Sequence, residues 1–145
     1  MSAINTINLG PIDETRQAFE AIVTGTPKPG YLVELASDRT VQVHGTSGGV
    51  TEKMFMREDQ GGAKTINDAY IGGETGRFMR AWGGDRVLGY LADAQTVVAN
   101  VTKLISNGDG TLIVAAGTEI DGQIVGVATE SLTSSGITAI KLRVL

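Results

Sequence analysis

From Tyr31 onward the chain is built of short apolar runs rich in β-branched and aromatic residues, each ended by a turn signal, and that rhythm leaves no room for a long helix. YLVELA (31 to 36) gives way to polar SDRT and then to VQVH (41 to 44), in which Val41 and Val43 fall on one face and Gln42 and His44 on the other. The pair predicts a hairpin. KMFMRE (53 to 58), RFMRAW (77 to 82), RVLGYLA (86 to 92), TLIVAA (111 to 116) and IVGVAT (124 to 129) predict further strands, several of them separated by GG or NGDG. In TAIKLRVL (138 to 145), Ile140, Leu142 and Val144 alternate with Lys141, Arg143 and Leu145, the pattern of a half-buried strand that ties down the C-terminus. ADAQTVVANVTKLIS (92 to 106) fits a helix or two strands by spacing, and its β-branched Thr96, Val97, Val98, Val101 and Thr102 favour extended structure. The series fits an all-β domain, a small barrel or sandwich.

The N-terminal part is different. All three prolines fall in the first 29 residues, whereas 17 of the 20 glycines follow His44. Proline fixes φ, lacks an N–H donor and holds its predecessor extended, so TPKPG (26 to 30) reads as a stiff connector ending in a turn. Residues 1 to 28 are therefore expected to form an extended arm, and residues 29 to 145 the body. Within the arm, Asp13 suits the cap of a short helix with Ala18, Phe19, Ile22 and Val23 on one side, and an extended path fits nearly as well. Ile4, Ile7, Leu9 and Ile12, separated by polar or small residues, are the arm's candidates for contact with another chain.

Composition narrows the function. A chain of 145 residues makes one domain, and 41% hydrophobic with 19% charged residues is globular rather than disordered. A formal charge of −4 offers no footprint for nucleic acid or an anionic membrane. No apolar run approaches the roughly 20 residues of a membrane span, and MSAINTINLG lacks the basic start and apolar middle of a signal peptide, so synthesis in the cytoplasm is expected. The absence of cysteine removes disulfides, thiolate nucleophiles and Cys-ligated metal sites together.

Each candidate site has a simpler reading. SNGDGTL (106 to 112) looks like a fragment of a calcium loop, but placing Gly110 at the sixth position puts Ile105 at the first and Ala116 at the twelfth, where outer ligands belong. Asn-Gly and Asp-Gly between apolar runs predict a hairpin turn instead. GTSGG (45 to 49) matches G-x-S-x-G, yet the only histidine, His44, lies three residues before Ser47, in neither known chain order for a serine nucleophile. His44 is better read as a solvated or hydrogen-bonded strand residue. Glu58 and Asp59 are adjacent, as are Asp13 and Glu14; neighbours on a strand point to opposite faces, so these read as solvated charges. GGETGR (72 to 77) lacks the lysine of a phosphate loop. Arg77, Arg80 and Arg86 beside Phe78 and Trp82 suit ordinary β packing better than base stacking in an acidic chain. Asn100-Val101-Thr102 is a sequon without a secretory signal. No catalytic residue, cofactor or metal is expected.

The order of the segments carries more. PGYLVEL (29 to 35) stands before the VQVH strand and a glycine-rich loop, followed by MFMREDQGGAKTINDAYIGGE (54 to 74), GDRVLGYLADAQTV (84 to 97), LISNGDGTL (104 to 112) and IVGVATES (124 to 131). In this order the chain, from about Pro27 to its C-terminus, resembles a tailed-bacteriophage head decoration, or cement, protein. The resemblance implies a tulip-like β fold with an extended N-terminal arm and no enzymatic activity. It implies a virion protein on the outer capsid surface, a trimer with dimers among some relatives, whose partners are its own copies and the major capsid protein. It also assigns Pro29, Gly30, Asp68, Tyr70 and Gly73 to turns that shape the barrel. WGGD (82 to 85) departs from the proline-containing turn expected after Ala81, which puts any outward loop contact in doubt. The alternative reading is a stand-alone β-barrel module binding sugar or peptide on a platform of Trp82 and Tyr90. An unidentified carboxylate enzyme is the least supported.

Overall fold

Met54, Phe55 and Met56 are apolar in succession, where a strand with one wet face would alternate. The structure, a computed structural model that describes residues 6–10, 18–37, 39–59 and 62–145, gives the reason. In chain order its strands are β1 (Asn8–Gly10), β2 (Ala18–Val23), β3 (Leu32–Ser37), β4 (Thr40–Val43), β5 (Met54–Met56), β6 (Thr75–Arg80) and β7 (Arg86–Leu91). They continue with β8 (Thr96–Val97), β9 (Lys103–Ser106), β10 (Leu112–Val114), β11 (Ile124–Ala128), β12 (Leu132–Thr133) and β13 (Thr138–Val144), and one 3-10 turn spans Asp121–Gln123. The protein is all-β, with no α-helix among the described residues.

Strands β2-β4-β3-β5-β6 close into a small barrel, β2 running parallel to β4 and antiparallel to β6. The larger sheet has the order β1-β7-β10-β9-β11-β13, and β7 also pairs with β13 from Leu91↔Thr138 to Arg86↔Arg143. That extra pairing closes β7, β10, β9, β11 and β13 into a second ring and leaves β1 as an added strand on β7. β8 and β12 form a separate two-stranded ribbon.

The two rings have separate cores that share a wall. Met54 and Met56 lie in the barrel core with Val23, Val33, Val41, Tyr70 and Phe78. Phe55, between them, belongs to the larger core with Leu32, Met79, Val87, Leu91, Leu104, Leu112, Ile140 and Leu142. Strand β5, the first two residues of β3 and the middle of β6 are thus covered on both faces, which requires apolar neighbours rather than alternation: Leu32–Val33, Met54–Phe55–Met56 and Phe78–Met79. Fully burying one such side chain is worth about 1.5–3 kcal/mol, so this wall is a main source of stability for both rings.

The hairpin appears as expected, with Val33↔Val43, Glu34↔Gln42 and Leu35↔Val41 in register. So does the last strand, where Ile140, Leu142 and Val144 are fully buried. Residues 92 to 106 form β8 and β9 around a turn in which Asn100 has φ +62°. Of the two paths open for Ala18 to Val23, the extended one is adopted: Ala21 and Val23 enter the barrel core, while Phe19 and Ile22 stay half exposed and Phe19 stacks on Phe78 at 5.5 Å. The segment expected as an arm therefore contributes β1 to the larger sheet and β2 to the barrel.

Candidate interaction surfaces

The segment from Thr6 to Gly10 is held by an acid that sequence alone places in solvent. Glu58 is 6% exposed. Its carboxylate accepts the Thr6 hydroxyl at 2.7 Å, the Ile7 N–H at 3.2 Å and the Arg57 guanidinium at 3.3 Å. The reading of Glu58 as a solvated loop charge is thus corrected. A buried charge must be paired and hydrogen-bonded, and its partners lie 51 and 52 residues away in the chain, beyond any local pattern. Burial pushes the Glu58 carboxyl up, but the bonds from Thr6 and the backbone, with Arg57 beside them, outweigh it and hold the group below the ordinary glutamate range.

Beyond this clamp, Asn8 and Gly10 pair with Val87 and Arg86, and the Ile7 carbonyl accepts Leu88 N–H at 2.9 Å. The Ile7 side chain is 0% exposed within the larger core, and Leu9 packs partly buried against that core. Of the four expected contact residues, Ile7 is committed to this chain's own interior; Ile4 and Ile12 lie outside the described residues.

Of the five residues assigned to turns, Pro29, Gly30 and Gly73 lie in turns, Asp68 bonds back to Thr65 just after one, and Tyr70 lies outside any turn, in the barrel core. Gly30 has φ +95°, and a Cβ there would meet Tyr90 Cε2 at 2.7 Å, so only glycine lets the connector after Pro29 pass Tyr90. Its N–H donates to the Met56 carbonyl at 2.8 Å. Asp68 accepts the Thr65 N–H and hydroxyl at 2.9 and 2.8 Å, and the backbone bond, then the hydroxyl, lowers its pKa. Tyr70 is buried, donates its hydroxyl to the Arg57 carbonyl at 2.8 Å, and burial raises its pKa. Gly73, at φ +94°, turns the chain into β6 and donates to the Val23 carbonyl at 2.8 Å.

SNGDGTL is the turn joining β9 to β10, with Ser106 opposite Leu112. Asp109 spends its oxygens inside the turn, accepting the Thr111 N–H at 2.9 Å and hydroxyl at 2.5 Å and the Asn107 amide at 3.3 Å. The turn also braces the barrel: Gly110 packs beneath Tyr31, and its carbonyl accepts Leu32 N–H at 2.9 Å.

His44 and Tyr90, singled out for the catalytic and platform readings, are both buried. Nδ1 of His44 lies 2.7 Å from the Ser106 hydroxyl and Nε2 lies 3.0 Å from the Val50 carbonyl. With Glu34 at 3.9 Å from Nε2, the arrangement superficially resembles a triad. Ser106 is 0% exposed, however, so no substrate reaches its hydroxyl, and the pair instead pins the barrel strand β4 to β9. His44 is hydrogen-bonded as expected, and buried rather than solvated. Tyr90, 7% exposed, stands edge-on to Tyr31 at 5.6 Å under the Lys28 ammonium, so it offers no platform with Trp82.

No family model and no curated protein matches the sequence. The fold is similar to that of a solved structure, the N base of the head fiber gp8.5 of bacteriophage phi29, over 88% of this chain and 92% of that one, with a TM-score of 0.55 and 12% sequence identity. At that identity the likeness is one of fold.

Proposed function

We propose that this chain is a non-enzymatic structural protein of a phage virion that decorates the outer surface of an icosahedral head and bridges neighbouring major capsid protein subunits, as a trimer. The observation that carries the reading is the shared fold with the base of a phage head fiber across nearly the whole of both chains. The order of segments that resembles head decoration proteins supports it independently. Closed rings suit an exposed shell protein, because they leave few strand edges to template aggregation. A protein that binds only the assembled shell stabilises it by linkage, and three linked contacts raise avidity by roughly 10²-fold or more when the geometry fits.

The test is co-sedimentation of the purified protein with heads of its own phage that lack it. Binding at micromolar concentration, with the heads then surviving heat or osmotic shock better, is expected. Heads that pellet without the protein refute the reading. A second reading, favoured by the same structural neighbour, is attachment to the head without reinforcing it. Binding with no gain in head stability selects that one.

A further inference from the structure

His44, Ser106 and Gly108 form a chain of hydrogen bonds that ends on backbone. The Val50 carbonyl, 3.0 Å from His44 Nε2, can only accept, so Nε2 carries the ring proton and Nδ1 is left as an acceptor. The Ser106 hydroxyl, 2.7 Å from Nδ1, donates to it, and the same oxygen accepts the Gly108 N–H at 3.1 Å. Glu34 also approaches Nε2, at 3.9 Å. Burial bars an outside substrate from Ser106, but the group this relay touches is the chain's own amide.

The residue before that amide is Asn107, and of the five asparagines only Asn107 is followed by glycine. With no side chain in the way, the nitrogen of a following glycine can close a five-membered ring on the asparagine Cγ. Gly108 has φ +86°, and a Cβ there would meet the Ser47 nitrogen at 2.9 Å. Asn107 is held as well. Its N–H donates to the Thr111 carbonyl at 2.9 Å, and its side-chain Nδ2 to Asp109 at 3.3 Å and the Thr111 hydroxyl at 3.2 Å. Asn107 and Gly108 are both half-buried, so water reaches the turn although Ser106 and His44 are closed off from it.

We propose that Asn107 is a site of self-modification, with Ser106 and His44 as its proton relay. The Gly108 nitrogen bonds to Asn107 Cγ while its proton passes to Ser106 Oγ and the Ser106 proton to His44 Nδ1. Both transfers run along hydrogen bonds within the reach of about 2.6–3.2 Å that a general base needs. The bond from Cγ to Nδ2 then breaks, the transferred proton goes to the departing nitrogen, ammonia leaves and a succinimide remains. One water opens the ring to aspartate or isoaspartate at position 107. Water is the only co-reactant. The reaction occurs once per chain, which agrees with a structural rather than enzymatic role. Its product carboxylate stands beside Asp109, where the amide had donated, and the two charges repel.

The experiment incubates the purified full chain in neutral buffer and follows conversion at position 107 by peptide mapping with mass spectrometry, with released ammonia as a second readout. A synthetic peptide of residues 104 to 113 gives the rate of the same Asn-Gly pair without the fold. The folded wild type should convert at least roughly tenfold faster than the peptide, a modest share of what a positioned base contributes. Ser106→Ala should fall to the peptide's rate or below it. A purely structural turn predicts the opposite signs: the fold would protect Asn107, and loosening it through Ser106→Ala would speed the reaction. A folded wild type that converts no faster than the peptide, or a folded Ser106→Ala that keeps the wild-type rate, overturns the proposal. If Ser106→Ala does not fold, the comparison of wild type with peptide decides alone.

Discussion

Replacing Glu58 by alanine removes the group that holds the chain's first described strand. Two donors lose their acceptor, the Thr6 hydroxyl and the Ile7 N–H, and the Arg57 guanidinium loses the anion 3.3 Å away. An unsatisfied buried donor costs about 1–3 kcal/mol, and breaking one side of a buried charge pair about 3–5 kcal/mol. Thr6 is only partly buried and water can reach it, so the net loss should be about 3 kcal/mol, a large share of the roughly 5–15 kcal/mol that holds a domain together. With a urea slope of about 2 kcal/mol/M, the midpoint should fall by roughly 1.5 M. Hydrogen exchange localises the effect: the Leu88 amide, bonded to the Ile7 carbonyl, should lose protection more than amides of the β3–β4 hairpin. Glu58→Gln keeps the shape and one acceptor and should fall between. The pH dependence has a fixed sign. Because the folded carboxyl titrates below its ordinary value, near 4.3, the clamp's contribution is complete above that value and is lost as pH falls through the lowered one. An unchanged midpoint together with unchanged Leu88 exchange would refute the clamp.

Other outcomes follow from single contacts. Gly126→Ala places a Cβ 2.5 Å from the Arg143 carbonyl oxygen, backbone that must shift, and should cost about 1–3 kcal/mol by thermal denaturation; an unchanged midpoint would mean that β11 and β13 are less tightly fitted than described. Tyr70→Phe removes the bond to the Arg57 carbonyl and should cost about 1 kcal/mol, whereas a gain in stability would show that the hydroxyl is not satisfied there. Ser106→Ala takes the hydroxyl from His44 Nδ1 and should destabilise by about 1–3 kcal/mol in urea titration; no loss would deny the pin between the two rings. Calcium or a chelator should leave the melting temperature unmoved, since Asp109 is engaged by Thr111 and Asn107; a large shift would restore SNGDGTL as a metal loop.

What sequence made legible here is what period and turn chemistry encode. VQVH, TAIKLRVL and SNGDGTL carry their structure within a few residues, so the β3–β4 hairpin, β13 and the β9–β10 turn could all be read. Ala18 to Val23 could not, because Ala18, Phe19, Ile22 and Val23 also suit a helical face; pairing with Thr75–Met79 and Thr40–Val41 decides for a strand. The double core left a trace in MFM and FM, but apolar neighbours do not say which other residues they meet. Glu58 left none, since nothing in REDQ marks an acid that will be met by residues 6 and 7. The bond from Thr51 N–H to the Gly122 carbonyl joins loops about 70 residues apart in the chain, and local patterns do not reach that far.

The wall formed by β3, β5 and β6 has one more consequence. Because Phe55 faces one core and its neighbours Met54 and Met56 the other, neither ring is a complete folding unit. Cutting the gene between the halves should yield two insoluble fragments rather than two miniature domains. A heated sample should melt in one step, and a pull on either ring would load the other through the same three strands.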